Sequence, residues 1–269
     1  MTALQDRSAN ATILRSRFRN ATNTNISTQT VRRRLREQNL RARRPAVRPR
    51  LTAAHRVRRL AWARQHVTWT RDQWARVLFT DESRFTRSFH DGRNRVWRRP
   101  GERFVDVNVQ EHDRYGGGSV MVWGGMSLRT RTRPERINGN LTGACYLKDV
   151  LRPIAVPAVR ALGQGAVYQD DNAPAHRARV VTDFLRNAQV TRMVWPALSP
   201  DMNPIEHLWD ELDRRMRANH PPARNLDDLF QALQQEWNAM PQRTLVMLVE
   251  SMRRRCQACI AAQGGHTRY

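Results

Sequence analysis

The sequence predicts a layered α/β fold preceded by a small, strongly basic helical segment. Three observations carry this expectation. Short apolar runs bounded by glycine or charge, such as "ARVLFTDESRF" and "GGSVMVWGGMS", have the character of strands and come early. Beyond them, helical periodicity alternates with further short strands, the order expected of a layered α/β domain. Positive charge is gathered at the front. Residues 1–80 hold 19 Arg against Asp6, Glu37 and Asp72, a net of +16 out of a formal +23 for the 269-residue chain.

The elements follow in order. "ATILRSRFRNA" predicts a short helix with Ile13, Leu14 and Phe18 on one side. "ISTQTVRRRLREQNL" predicts a second, with Ser27 as N-cap and Val31 and Leu35 on one face. Thr28, Gln29, Thr30 and Arg33 then point outward near the helix start, where a recognition helix touches base edges, with Arg32, Arg34 and Arg36 beside them. A basic surface helix has the same pattern. "RARRPAVRPR" puts Arg41, Arg43, Arg44, Arg48 and Arg50 among two prolines. That composition favours an extended cationic strap suited to phosphates, to the minor groove or to nuclear import. Residues 52–70 read as a helix with Ala53, Val57, Leu60, Ala61 and Val67 at helical spacing.

Strands are predicted in "ARVLFTDESRF", "RVWRRPGERF", "GGSVMVWGGMS", "AVYQDDNAP" and "TRMVWPA". Helices are predicted in "GACYLKDVLRPIAVPAVRAL", interrupted by its prolines, in "APAHRARVVTDFLRNA" and in "NPIEHLWDELDRRMRAN". In the last of these, Asn203 has the character of an N-cap, Pro204 of the first helical residue, and Glu206 falls in the first turn. Trp123, Trp195 and Trp209 are expected in the core. "SMRRRCQAC" is expected as a last basic helix facing DNA or solvent. With three cysteines, neither a disulfide framework nor a four-ligand zinc site is expected.

The acids carry the chemistry. Asp81 is expected at the end of one strand and Asp171 at the end of another, where neighbouring strand ends lie together. Glu206 joins them from its helix. Its spacing from Asn203 is also that of a capping box, so capping its own helix is the competing role. Three carboxylates about 4 Å apart repel by several kcal/mol per pair at an effective dielectric near 20, so such a cluster needs cations or protons. Two Mg²⁺ or Mn²⁺ ions roughly 3.5–4 Å apart fit the need and can clamp both oxygens of an in-line phosphoryl displacement.

"LFTDESRF", "QDDNAPAH" and "WPALSPDMNPIEHLWDEL" resemble the three catalytic blocks of Tc/mariner-type transposases, in the DDE transposase and retroviral integrase superfamily. The 34 residues between Asp171 and Glu206 match the Tc-like interval. The resemblance implies a ribonuclease-H-like catalytic domain, a mixed central sheet flanked by helices, behind a partial helix-turn-helix segment. It maps the catalytic metal ligands onto Asp81, Asp171 and Glu206, with Glu82 and Asp170 as neighbours and not ligands. It implies cut-and-paste transposition at terminal inverted repeats, with transposon ends and target DNA as double-stranded partners and a homodimer as the assembly to test.

The expected division is 1–45 for the partial helix-turn-helix, 46–73 for a basic linker and helix, 74–245 for the catalytic domain and 246–269 for a basic C-terminal helix and tail. Only the second of the family's two helix-turn-helix units is matched, which predicts an N-terminally truncated copy. A catalytically inactive DNA-binding derivative is the alternative these residues leave open. With no apolar run near the roughly 18 residues of a membrane span, the expectation is a soluble protein of the nucleus with no membrane partner. Binding through the basic segment should be steeply salt-dependent. Engagement of six phosphates gives a slope of roughly −5 in log K against log salt, read from mobility shifts over a salt series, and a flat response removes residues 31–59 from the interface.

Overall fold

The first two helices are begun by short polar side chains that cap their free N–H groups. In the computed structural model, which describes residues 6, 9–42, 49–87 and 118–269, α1 spans Ala11–Thr22 behind an Asn10 cap. The second helix, α2 (Thr28–Glu37), starts at Ser27, whose hydroxyl accepts the Thr30 N–H. Leu14 and Val31 are the buried residues of this pair. The chain divides into two compact units at Arg48 and Pro49, and the pair belongs to the first.

The second unit opens with α3 (Ala53–His66), begun by a Thr52–His55 capping box, and α4 (Arg71–Ala75), begun by a Thr70–Gln73 box. A mixed sheet follows. Strand β1 (Val77–Thr86) pairs antiparallel with β2 (Ser119–Met126), and β2 pairs antiparallel with β3 (Glu135–Ile137). A helical rod then runs through α5 (Gly143–Cys145), a π-helical stretch (Tyr146–Ala155) and α6 (Val156–Ala161). The predicted interruption by proline does not occur. Pro153 has no N–H to give an α-helical bond, and the rod stays continuous with π spacing around it.

Strand β4 (Val167–Gln169) returns parallel to β1, then come α7 (Pro174–Arg177), α8 (Arg179–Asn187) and β5 (Thr191–Arg192), which is parallel to β4. The sheet order is β3-β2-β1-β4-β5. A 3₁₀ turn (Pro200–Met202) leads into α9 (Ile205–Asn219), followed by α10 (Leu226–Asn238), α11 (Gln242–Glu250) and α12 (Met252–Ala261). The predicted strand "RVWRRPGERF" lies outside the described residues. Among those described, no helix is long and apolar enough to cross a membrane.

The period of two along β1 builds two cores. Val77, Phe79 and Phe85 face one side with Val120, Val122 and Met126 and pack against residues of α3 and α9–α12. Leu78 faces the other side, where Trp123, Ile137 and Tyr168 meet the rod and α8. Asp81 shares the parity of Val77 and Phe79, and Glu82 that of Leu78. Adjacent acids are thereby sent to opposite faces.

Two expectations about faces are corrected. In α3 the buried residues are Arg59, Trp62 and Ala63, whereas Val57 is 66% exposed. The apolar spacing misses the docking face because that face is centred on an arginine. In α12 the expected basic, solvent-facing helix is only one side of the element: Arg253 and Arg254 are exposed, while Arg255 turns inward. The helix buries Met252, Arg255, Cys256 and Cys259, and residues 49–73 and 246–269 both fall in the unit that carries the sheet.

Gly124 lies opposite Asp81 in the β1–β2 register, and a Cβ there would meet the rings of Trp209 and Trp237 at 2.8 Å each. A close-packed interior cannot absorb that overlap freely. Gly124→Ala is expected to destabilise the protein by about 1–3 kcal/mol, measured by denaturant unfolding. An unchanged midpoint would mean that the two indoles yield without cost.

Candidate active site

Asp81 does not end its strand. Strand β1 continues to Thr86 because β2 pairs along it, while the parallel partner β4 stops at Gln169. Past that point one edge of β1 is no longer paired with β4, and Asp81 lies there. The step is fastened by Thr80, whose hydroxyl donates to the Gln169 carbonyl (2.7 Å) and whose N–H donates to the Gln169 side chain (3.2 Å). On its own face Asp81 accepts the indole N–H of Trp209 (3.0 Å). Trp123, Trp195 and Trp209 are core residues as expected, at 0%, 5% and 4% exposure, but Trp209 also holds a carboxylate. Burial, then the charges of Glu206, Glu82 and Asp171, push the Asp81 carboxyl well above its usual range, against the Trp209 hydrogen bond.

The paired acids after β4 separate in role. Asp170 turns fully inward, and Arg192 donates to it through Nε (3.0 Å) and Nη2 (2.9 Å). Burial raises the Asp170 carboxyl, and Arg192 offsets this only in part. Asp171 is half-exposed, and its Oδ1 takes both the Ala173 N–H (2.7 Å) and the Nδ1 of His176 (2.7 Å). This leaves Oδ2 available to a ligand. Burial pulls the Asp171 carboxyl upward, but the hydrogen bonds from His176 and Ala173 outweigh it, and the net shift is downward. The other ring nitrogen of His176 meets Glu82 (3.2 Å), and its ring lies 4.3 Å from that of Tyr146. The sequence alone does not assign His176 to the site. The missed signal is its place five residues after Asp171, across a tight turn begun by Ala173-Pro174.

The third acid arrives on α9. The predicted Asn203 cap is displaced by one residue: the helix starts at Ile205 with Pro204 before it. Asn203 still accepts the Ile205 N–H through Oδ1 (3.5 Å), and its amide N–H donates to the Thr80 carbonyl (3.3 Å), tying the loop to β1 beside Asp81. Asp81, Asp171 and Glu206 line one cleft of about 400 Å³ with Asn172, Asn203 and Trp195. Among the described residues no three acids, histidines or cysteines are gathered closely enough to hold a metal ion as they stand. The donor chemistry nonetheless fits a hard divalent cation, since three carboxylates line one cleft and one of them is raised by burial and then by the charges of its acidic neighbours.

In the first unit, a basic hollow of about 470 Å³ is lined by Ser27, Gln29, Thr30, Arg32, Arg33 and Arg36 at the start of α2. Arg34 turns to Glu37 (3.0 Å), and Thr28 is half-buried. Arg41 and Arg50 are exposed, and Arg43, Arg44 and Arg48 lie outside the described residues.

The carboxylates around His176 set a pH dependence. Burial opposes protonation, but the hydrogen bonds to Asp171 and Glu82 and their charges raise its pKa to about 10. A raised histidine stabilises the fold fully below its unfolded pKa of about 6.5 and loses that contribution as pH rises through about 10. In metal-free buffer, stability should therefore fall between those limits, and His176→Gln should flatten the fall. Parallel wild-type and variant curves would remove His176 as its source.

Comparisons with known proteins agree with this architecture. A family profile described as DDE superfamily endonuclease matches residues 76–229, and one described as Transposase, of the helix-turn-helix type, matches residues 2–68. The second takes in α1, α2 and α3. The Tcb2 transposase of Caenorhabditis briggsae is 39% identical over 246 residues, covering 90% of this chain and 88% of that protein. The Tc1 transposase of Caenorhabditis elegans is 38% identical over the same shares. In fold, the chain resembles a Mos1 mariner paired end complex with Mg (TM-score 0.79, 18% identity, 98% of this chain and 77% of that one). It also resembles a Mos1 strand transfer complex (TM-score 0.76, 18% identity, 98% and 76%). With its sheet order, its cleft of acids and these relatives in agreement, the chain belongs to the Tc/mariner-type DDE transposases.

Proposed function

We propose that this chain cuts and rejoins DNA at the ends of a mobile element, using two divalent ions, Mg²⁺ or Mn²⁺, held by Asp81, Asp171 and Glu206. The observation that carries the reading is the convergence of these acids on one cleft, with the Asp81 carboxyl raised by burial and by the charges of its acidic neighbours. When bound, the ions supply a Lewis acid to the scissile phosphate and lower the pKa of an attacking water or 3′-OH. The protein's own groups do the rest. Trp209 orients Asp81, His176 and Ala173 fix one oxygen of Asp171, and Asn203 ties the loop ahead of Glu206 to β1.

The helix α2, with Gln29, Thr30, Arg32, Arg33 and Arg36 around its hollow, contacts the element end, and the arginines of 41–50 follow the backbone. Two copies each hold one end, a reading supported by the paired-end Mos1 assemblies that the fold resembles. The work is done in the nucleus, with the basic strap as the import signal.

A cleavage assay on element ends with Mg²⁺ or Mn²⁺ tests the reading. Asp171→Asn is expected to lose strand cleavage and keep end binding at the wild-type level. Wild-type protein given pre-cut ends with a free 3′-OH is expected to join them to target DNA. Cleavage by Asp171→Asn at the wild-type rate would remove Asp171 from the chemistry, and hydrolysis without joining would reduce the protein to a nuclease.

A further inference from the structure

Among the described residues two arginines are almost wholly buried, and both grip the same aspartate. Arg59 of α3 is 0% exposed, Arg255 of α12 is 1% exposed and Asp201 is 4% exposed. Arg59 makes a two-pronged pair with Asp201 (2.7 Å on each oxygen). Its remaining N–H groups donate to the carbonyls of Leu198, Gly264 and Gly265 (3.0, 2.9 and 2.9 Å), so every donor of the guanidinium is used. The approach of Gly264 depends on its lacking a side chain. Its φ is +73°, and a Cβ would come within 2.0 Å of the Arg56 carbonyl.

Arg255 holds the other side. It donates to the Asp201 carbonyl (2.9 Å), to the Ser251 hydroxyl (2.8 Å) and to Nδ1 of His207 (3.0 Å). Arginine has no acceptor, so Nδ1 carries the lone pair and the proton of neutral His207 sits on Nε2. His207 follows Glu206 in the first turn of α9. The charge of Arg255 is also felt at Glu206.

Buried ion pairs are a costly way to gain stability, because well-packed apolar residues often hold a fold as well. What such a pair supplies is fixed geometry, as its hydrogen bonds tolerate one arrangement. Here the arrangement joins α3, the 198–203 loop, α12 and residues 264–267 directly beneath the turn that presents Glu206. We propose that Arg255, braced through Asp201 by Arg59, is a positioning residue that fixes the first turn of α9 so that Glu206 is set to receive a divalent ion. This rests on the reading of Glu206 as a metal ligand.

The test is Mn²⁺ binding to the full chain, followed by the electron paramagnetic resonance signal of free Mn²⁺. Wild type, Glu206→Gln, Arg255→Lys and the double variant are compared, with thermal unfolding and DNA binding recorded on the same preparations. Arg255→Lys keeps the charge and loses the planar fork. It is expected to fold, to bind DNA as wild type and to weaken Mn²⁺ binding about tenfold, the size of effect seen for groups behind a metal ligand. Added to Glu206→Gln it should weaken binding no further, because both changes act through one carboxylate. A folded Arg255→Lys with wild-type Mn²⁺ affinity, or with an effect that persists in the Glu206→Gln background, overturns the proposal. Should Arg255→Lys fail to fold, His207→Ala replaces it, and unchanged Mn²⁺ affinity there overturns the proposal equally. A wild-type chain that binds no Mn²⁺ removes the metal reading itself and the brace with it. Wild-type binding beside an unaffected arginine variant removes the brace alone.

Discussion

Parallel pairing between two strands some ninety residues apart, Val77 with Val167 through Phe79 with Gln169, is the constraint on which the rest of the cleft depends. It brings the step in β1 level with the end of β4, and so brings Asp81 beside the turn that carries Asp171. Thr80 locks the register with two hydrogen bonds to Gln169. A slip of one residue would reverse every side chain of β4 between the two cores. Because Tyr168 belongs to one core and the neighbouring Asp170 is buried against Arg192, the slip is opposed by both apolar and ionic terms.

The electrostatics follow from that placement. Gathering acids where burial is deep raises their proton affinity, and the protein answers each one differently. Among the described residues, Asp170 is given an arginine, Asp171 a histidine and a backbone N–H, and Asp81 an indole N–H. The carboxylate with the weakest compensation is the one most surrounded by other acids. A group so situated has the most to gain from a cation, which gives the cleft its chemical direction without reference to any relative.

Much of this is legible in the sequence. Strand-like apolar runs, the proline-bounded approach to Glu206 and the acid pair after "AVYQ" all lie in local patterns, and the α/β layering follows from them. What is not legible depends on partners distant along the chain. Helical spacing in residues 52–70 points to Val57, yet the docking face belongs to Arg59, since its partner Asp201 lies 142 residues away. Arg255 reads as surface charge for the same reason. Asn203 has the residue type of a helix cap and accepts the Ile205 N–H, but that its amide also donates to the Thr80 carbonyl, 123 residues away, is not visible locally. Asp81 reads as a strand end because the apolar run stops there, while the hydrogen-bond ladder with β2 continues.

The glycine opposite Asp81 has a consequence for how such a chain can change over time. The absence of a side chain at Gly124 makes room for Trp209, and Trp209 is both a core residue and the group that orients the buried acid. Drift at this position is therefore expected to strain the packing of the body and the setting of the Asp81 carboxylate together.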